Sequence, residues 1–100
     1  MWRDHVHNII SVQPYYKVER IVTPLKQETV IHRRVLHLYT TKIISAYREF
    51  TLKEVYDISF KSIGKDYGVL YLHTKQGVFP YNVESDPKDF MIEFKKIVEK

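Results

Sequence analysis

The side chains best suited to chemistry in this sequence are cationic. Lys26 stands a few residues ahead of the run His32-Arg33-Arg34. A guanidinium presents a planar fork of N–H donors that meets two oxygens of a phosphate at once. Lys26, His32, Arg33 and Arg34 are therefore the candidate ligand-binding residues, and the ligand they suit is an anionic lipid headgroup or a phosphate. The charge is uneven in the same sense. Residues 1–50 hold eight Lys/Arg against four Asp/Glu, residues 51–100 hold eight of each, and every Arg (3, 20, 33, 34 and 48) lies in the first half. The net charge of +4 is mild, and a basic half of this size is also what a solvated face looks like.

Other chemistries find little support. With no Cys there is no thiolate nucleophile, no disulfide framework and no Cys-based zinc site. Three glycines, Gly64, Gly68 and Gly77, are too few and too scattered for a phosphate-cradling loop, and no nucleophile elbow occurs. The expectation is no catalytic residue and no cofactor. His5 and His7 would share one face of a strand, but no third ligand stands at metal-binding spacing, so no metal site is expected. Tyr15, Tyr16, Tyr39, Tyr47 and Tyr67 could stack on bases, yet tyrosine is also an ordinary half-buried strand residue. The carboxylates of the second half oppose a broad phosphate track, so nucleic acid is not an expected partner.

The elements that must position these residues are mostly strands. A chain of 100 residues supports one domain and one modest core. No apolar run approaches the ~20 residues that span a bilayer, and no signal-peptide pattern is present. Residues 1–14 form an irregular N-terminal segment, with Gln13-Pro14 as a break. The alternation of 15–22 reads as a strand, Thr23 to Gln27 as a turn, and 28–40 as a long β segment with a bend near Arg33-Arg34. Short β segments follow at 43–47 and 48–52. Tyr56, Ile58 and Phe60 alternate with Asp57, Ser59 and Lys61, which predicts a half-buried strand over 55–63. Tyr67 to Thr74, a hairpin turn at Lys75-Gln76-Gly77, and Val78 to Val83 complete the β region.

The last segment predicts a helix over 87–99. Asp86 suits the N-cap, Pro87 the first turn, and Phe90, Met91, Phe94, Ile97 and Val98 fall within an arc of ~120°. Pro80 cannot donate to a ladder, which predicts that its strand or the one before it lies at a sheet edge or an opening. Ile92 breaks the polar side of the helix. Pro80 and Ile92 are thus the candidate partner-binding residues, for an extended peptide adding to an unpaired edge.

Six or seven antiparallel strands followed by one amphipathic helix suggest a small barrel or paired sheets with a helical plug. Here the sequence resembles a known family. Val35 to Ile44, Val55-Tyr56-Asp57-Ile58, Tyr71 to Gly77 and Asp86-Pro87-Lys88-Asp89-Phe90 are similar to a bacterial pleckstrin-homology-like (PH-like) domain, most of all the sublancin-immunity type. The resemblance covers about residues 28–99. It implies a mainly β fold: a PH-like barrel of about seven antiparallel strands in two sheets, capped by the C-terminal helix. It also implies a non-catalytic binding or scaffold module with a protein or peptide partner, in the cytoplasm and near a membrane through that partner. In lipid-binding members a Lys in the first hairpin and an Arg-x-Arg pair on the next strand grip an inositol phosphate. Lys26 and His32-x-Arg34 match that pattern in part, which implies anionic lipid or phosphate binding as the alternative function.

Overall fold

The computed structural model describes residues 8–99. It holds strands β1 (Ser11–Val22), β2 (Gln27–Leu38), β3 (Lys42–Ile44), β4 (Glu49–Thr51), β5 (Val55–Gly64), β6 (Tyr67–Thr74) and β7 (Gly77–Val83), then helix α1 (Lys88–Val98). The strands form one seven-stranded antiparallel sheet in the order β4-β3-β2-β1-β7-β6-β5. The expectation of a mainly β fold with about seven strands and a C-terminal helix holds. The two-sheet barrel does not: the sheet stays open, with β4 and β5 as its edges. A ladder links every neighbouring pair except β1 and β7, which meet at the single rung Tyr16↔Asn82.

Several boundaries differ from the sequence reading, each for a physical reason. The break expected at Gln13-Pro14 is absent, and Pro14 sits within β1 opposite Val35. Proline is tolerated where one side of a strand forms no ladder, and β7 leaves most of that side of β1 unpaired. The bend expected at Arg33-Arg34 is also absent. Twelve rungs run in unbroken register from Ser11↔Leu38 to Val22↔Gln27. In β5 a register shift between Val55 and Asp57 makes Tyr56 an extra residue. Tyr56 therefore leaves the buried phase and is 68% exposed, while Val55 and Ile58 are buried. The β6–β7 hairpin follows the expected boundaries, with Gly77 at φ +131° in its turn, a conformation open to glycine. Gly68 serves a different need. A Cβ there would lie 2.2 Å from the Lys61 carbonyl oxygen across the β5–β6 pair.

The core forms where the inward phases of the strands meet α1. Leu36, Leu38, Ile43, Phe50, Leu70, Leu72 and Val83 are buried together with Phe90 and Phe94 of the helix. The N-cap is Pro87, with no side-chain cap hydrogen bond, so the expected N-cap at Asp86 lies one residue too early; from there Asp86 Oδ1 accepts the Lys88 N–H at 3.0 Å. Met91 and Ile97 pack against the core from its margin. Val98, expected in the buried stripe, is instead exposed at the end of the helix. Gln13, buried in β1, donates from Nε2 to Ser85 Oγ at 3.1 Å and ties the first strand to the segment leading into α1. No helix among the described residues is long and apolar enough to cross a membrane.

Phe94→Ala removes a side chain that the core cannot close over, and the expected loss is roughly 3–5 kcal/mol of stability. Chemical denaturation measures it as a lower midpoint with an unchanged slope. Gly68→Ala is expected to destabilise as well, because the Lys61 backbone must move to admit the methyl group.

Candidate anion-binding groove

Side chains alternate across a strand, so the hairpin register sorts the sequence candidates by face. Tyr15 is buried, and it pairs with Arg34. Arg34, His32 and their neighbour Lys17 therefore share the inward phase, and Arg33 points outward with its partner Tyr16. Arg33 Nη1 meets Glu84 Oε1 at 2.6 Å. Lys26 lies in the β1–β2 turn and pairs with Glu28 at 3.2 Å. At ~3.3 Å per residue it stands roughly 25 Å from Arg34, too far to grip the same small anion. His32 Nε2 lies 2.8 Å from Glu19 Oε1. Of the four sequence candidates, only Arg34 faces the groove described next without a carboxylate on it.

The groove has a volume of about 530 Å³ and lies where β1 and β7 diverge under the β3–β4 turn, lined by Lys17, Arg34 and Tyr81 of the inward phase and, along the gap between the strands, by Tyr16, Val18, Pro80 and Asn82 of the outward phase. It exists because pairing stops. Two positions beyond Tyr16↔Asn82 the same register would set Val18 opposite Pro80, and proline has no N–H to give. Tyr15 and Tyr81 form the floor, ring edge to ring face at 4.8 Å. The Tyr15 hydroxyl accepts the Ala46 N–H at 3.1 Å and so anchors the β3–β4 turn above the floor. That turn delivers Ser45, Tyr47 and Arg48. The Arg34 guanidinium stacks 4.6 Å from the centre of the Tyr47 ring, and the Arg48 guanidinium 4.6 Å from that of Phe79.

Lys17, Arg34 and Arg48 line this space, and no carboxylate lines it. Among the described residues none of the three pairs with an acidic side chain. The Nε of Arg34 is buried without an acceptor. Aromatic stacking holds the guanidinium planes in place while leaving their N–H edges free. Burial raises the Tyr81 phenol above its ordinary value of 10.0. The Ser45 hydrogen bond lowers it, the neighbouring Tyr15 raises it, and the Arg48 charge lowers it. The phenol is thus a neutral hydrogen-bond donor at physiological pH. The arrangement suits an oxyanion and offers no paired acid and base. Among the described residues no three His, Asp or Glu cluster to hold a metal. His5 and His7 lie outside the described residues.

Lys17, Arg48 and the tyrosine floor were missing from the sequence candidates. The period of β1 puts Lys17 in phase with Tyr15, but which phase faces inward needs the register. Arg48 carried no local signal, because it comes from a turn that only the folded sheet brings over β7. Pro80 lines the groove, and Ile92 lies exposed on α1 and does not line it. The expected edge near Pro80 is corrected: β6 and β7 are both interior, and the opening is the β1-facing side of β7. The sequence matches no protein-family model and no curated protein.

Two expectations follow for the floor. Tyr15→Phe deletes the acceptor of the Ala46 N–H, with a loss of about 0.5–1.5 kcal/mol in a denaturant titration. Tyr81 titrates higher folded than unfolded, so the stability tied to its neutral form is intact below pH ~10. That stability is lost as pH rises through the folded value. Thermal melts at increasing alkalinity show this decline, and Tyr81→Phe makes it shallower.

Proposed function

We propose that the chain is a non-catalytic, PH-like binding module that recognises a phosphate or another oxyanion in the groove between β1, β7 and the β3–β4 turn. The observation that carries this reading is the set Lys17, Arg34 and Arg48, gathered from three parts of the chain, with no carboxylate among the groove residues. Stacked guanidinium groups without acid partners can bind a phosphate without first breaking an internal ion pair. The architecture supports the PH-like part. Seven antiparallel strands precede one C-terminal helix, and the single β1–β7 rung divides the sheet into groups of four and three strands. Of the two functions drawn from the sequence, the groove favours anion recognition. A protein partner enters the same scheme when it presents a phosphorylated side chain. The setting proposed is cytoplasmic.

The test is a calorimetric or NMR titration of the full chain with inorganic phosphate, a phosphoserine peptide and anionic vesicles. Binding is expected to shift amide resonances of Arg34, Tyr47, Arg48 and Asn82, and to weaken as salt is added. Arg34→Gln with Arg48→Gln is expected to weaken it at least tenfold with only a small drop in melting temperature, since each side chain gives up a ring-stacking contact but no ion pair. No binding of any probe, or binding indifferent to both substitutions, overturns the reading. Comparison of the three probes tells a headgroup from a phosphorylated peptide.

A further inference from the structure

The β1–β2 ladder fixes where each backbone group of β1 points. Across the hairpin turn the Thr23 N–H donates to the Lys26 carbonyl at 2.8 Å. Hydrogen-bonded and non-hydrogen-bonded rungs alternate in an antiparallel pair. Counted back from Thr23 through the unbroken register, Ile21↔Glu28, Glu19↔Val30 and Lys17↔His32 are the hydrogen-bonded rungs. The N–H and C=O of Val18, Arg20 and Val22 therefore point the other way, into the gap toward β7. Pro14 and Tyr16 belong to the same set: Pro14 has no N–H to leave unpaired, and Tyr16 forms the single rung with Asn82. Beyond that rung, among the described residues, no strand pairs with this edge.

Taking the groove as an anion site, on which this inference rests, we propose that its ligand is an extended phosphopeptide. The peptide adds as a strand to the free edge of β1, antiparallel to it, and carries its phosphorylated side chain to Lys17, Arg34 and Arg48. Backbone spacing is the first argument. Donors and acceptors that recur at every second residue, roughly 6.8 Å apart, match another extended chain. A lipid headgroup or a free phosphate has no such repeat. The position of Pro80 is the second. Pro80 and Asn82 are two residues apart on β7, so the missing N–H lies on the gap side, where Asn82 meets Tyr16. β1 is therefore the better template of the two walls.

Charge sets the order of the peptide's side chains. Residues of an added strand opposite Lys17 and Glu19 share the inward phase. Lys17 lies diagonal to Arg34 across the ladder, since Tyr15 is the partner of Arg34 and His32 that of Lys17. A phosphate opposite Lys17 thus meets both cations. Glu19 is exposed, with only His32 Nε2 beside it at 2.8 Å, and suits a basic residue opposite. Between them Val18 is 46% exposed and its partner Ile31 49%, which suits an apolar residue. Antiparallel to β1, the matching peptide runs basic, apolar, phosphorylated from its N-terminus.

NMR titration of the full chain with inorganic phosphate, and with a short synthetic peptide whose core is lysine, valine and phosphoserine, tests this. The peptide is expected to bind at least tenfold more tightly than phosphate and to slow hydrogen exchange at the Val18 and Arg20 amides. Replacing the peptide's valine N–H by an ester oxygen removes its bond to the Val18 carbonyl and is expected to weaken binding about tenfold. The same change at the lysine, whose N–H faces away from β1, costs little. Arg20→Pro deletes an N–H on the gap side and spares the β1–β2 ladder, as Pro14 does. It is expected to weaken the peptide about tenfold and to leave phosphate binding unchanged, whereas Arg20→Gln binds both as the parent does. The two esters give the same discrimination on the unaltered chain. Phosphate binding with no gain for the peptide, or with Val18 and Arg20 still exchanging freely, overturns strand addition and leaves the anion site standing. Equal affinity for the unphosphorylated peptide overturns the proposal, as does a preference for anionic vesicles over the peptide. No binding of either phosphate or peptide overturns the anion site and the strand addition together.

Discussion

The structure turns on how little β1 and β7 share. Every other neighbouring pair in the sheet is joined by a ladder, whereas these two are joined at one rung, Tyr16↔Asn82. Proline at position 80 has no N–H to extend the pairing on the far side of that rung. Below the rung, β1 enters the core through Gln13 and Tyr15. Above it, β1 and β2 run on as a free hairpin. The same divergence opens the groove, leaves the hairpin without a third strand, and lets the β3–β4 turn fold over β7, where Phe50 meets Phe79 at 5.1 Å.

The hairpin register then decides which side chains meet. Because the side-chain period is two, Arg33 and Arg34 leave the strand on opposite faces, and of the two Arg34 alone lines the groove. One is tied to Glu84 on the outer face, and the other enters a space without carboxylates. Aromatic rings replace acids as the supports of the inner cations. A ring holds a guanidinium plane through its quadrupole and leaves the N–H edges for another acceptor. A carboxylate would occupy those edges. This is the physical basis for reading the inner face as a binding surface and the Arg33–Glu84 pair as a structural one.

The two faces of the hairpin carry different properties. The inward phase of β1 holds Gln13, Tyr15, Lys17, Glu19 and Ile21 and is sheltered at its base by Tyr81 and the β3–β4 turn. The outward phase mixes Val12, Val18, Ile31 and Val35 with Arg20, Thr29 and Arg33, the last tied to Glu84. β6 differs: its Leu70 and Leu72 lie fully buried in the inward phase.

Much of the fold was legible from local pattern. Strand period over 67–74, the glycine turn at 77 and the Asp86-Pro87 start of the helix act through neighbours in the chain, so the β6–β7 hairpin and α1 were readable within a residue or so. Tyr56 was misread because a bulge inserts one residue and reverses the phase beyond it, and alternation alone contains no sign of where that happens. Pro14 was misread because the cost of a missing N–H depends on whether a strand lies on that side, which is a property of the sheet. The candidate site divides in the same way. That the first half of the chain is cationic, and that Arg34 is a forked donor, belonged to the sequence. That Arg34 lines one groove with Lys17 and Arg48, and not with Lys26 and Arg33, was decided by tertiary structure. Register and strand length set distances of tens of ångströms between residues that are near in sequence, and the β3–β4 turn closes the distance to one that is not.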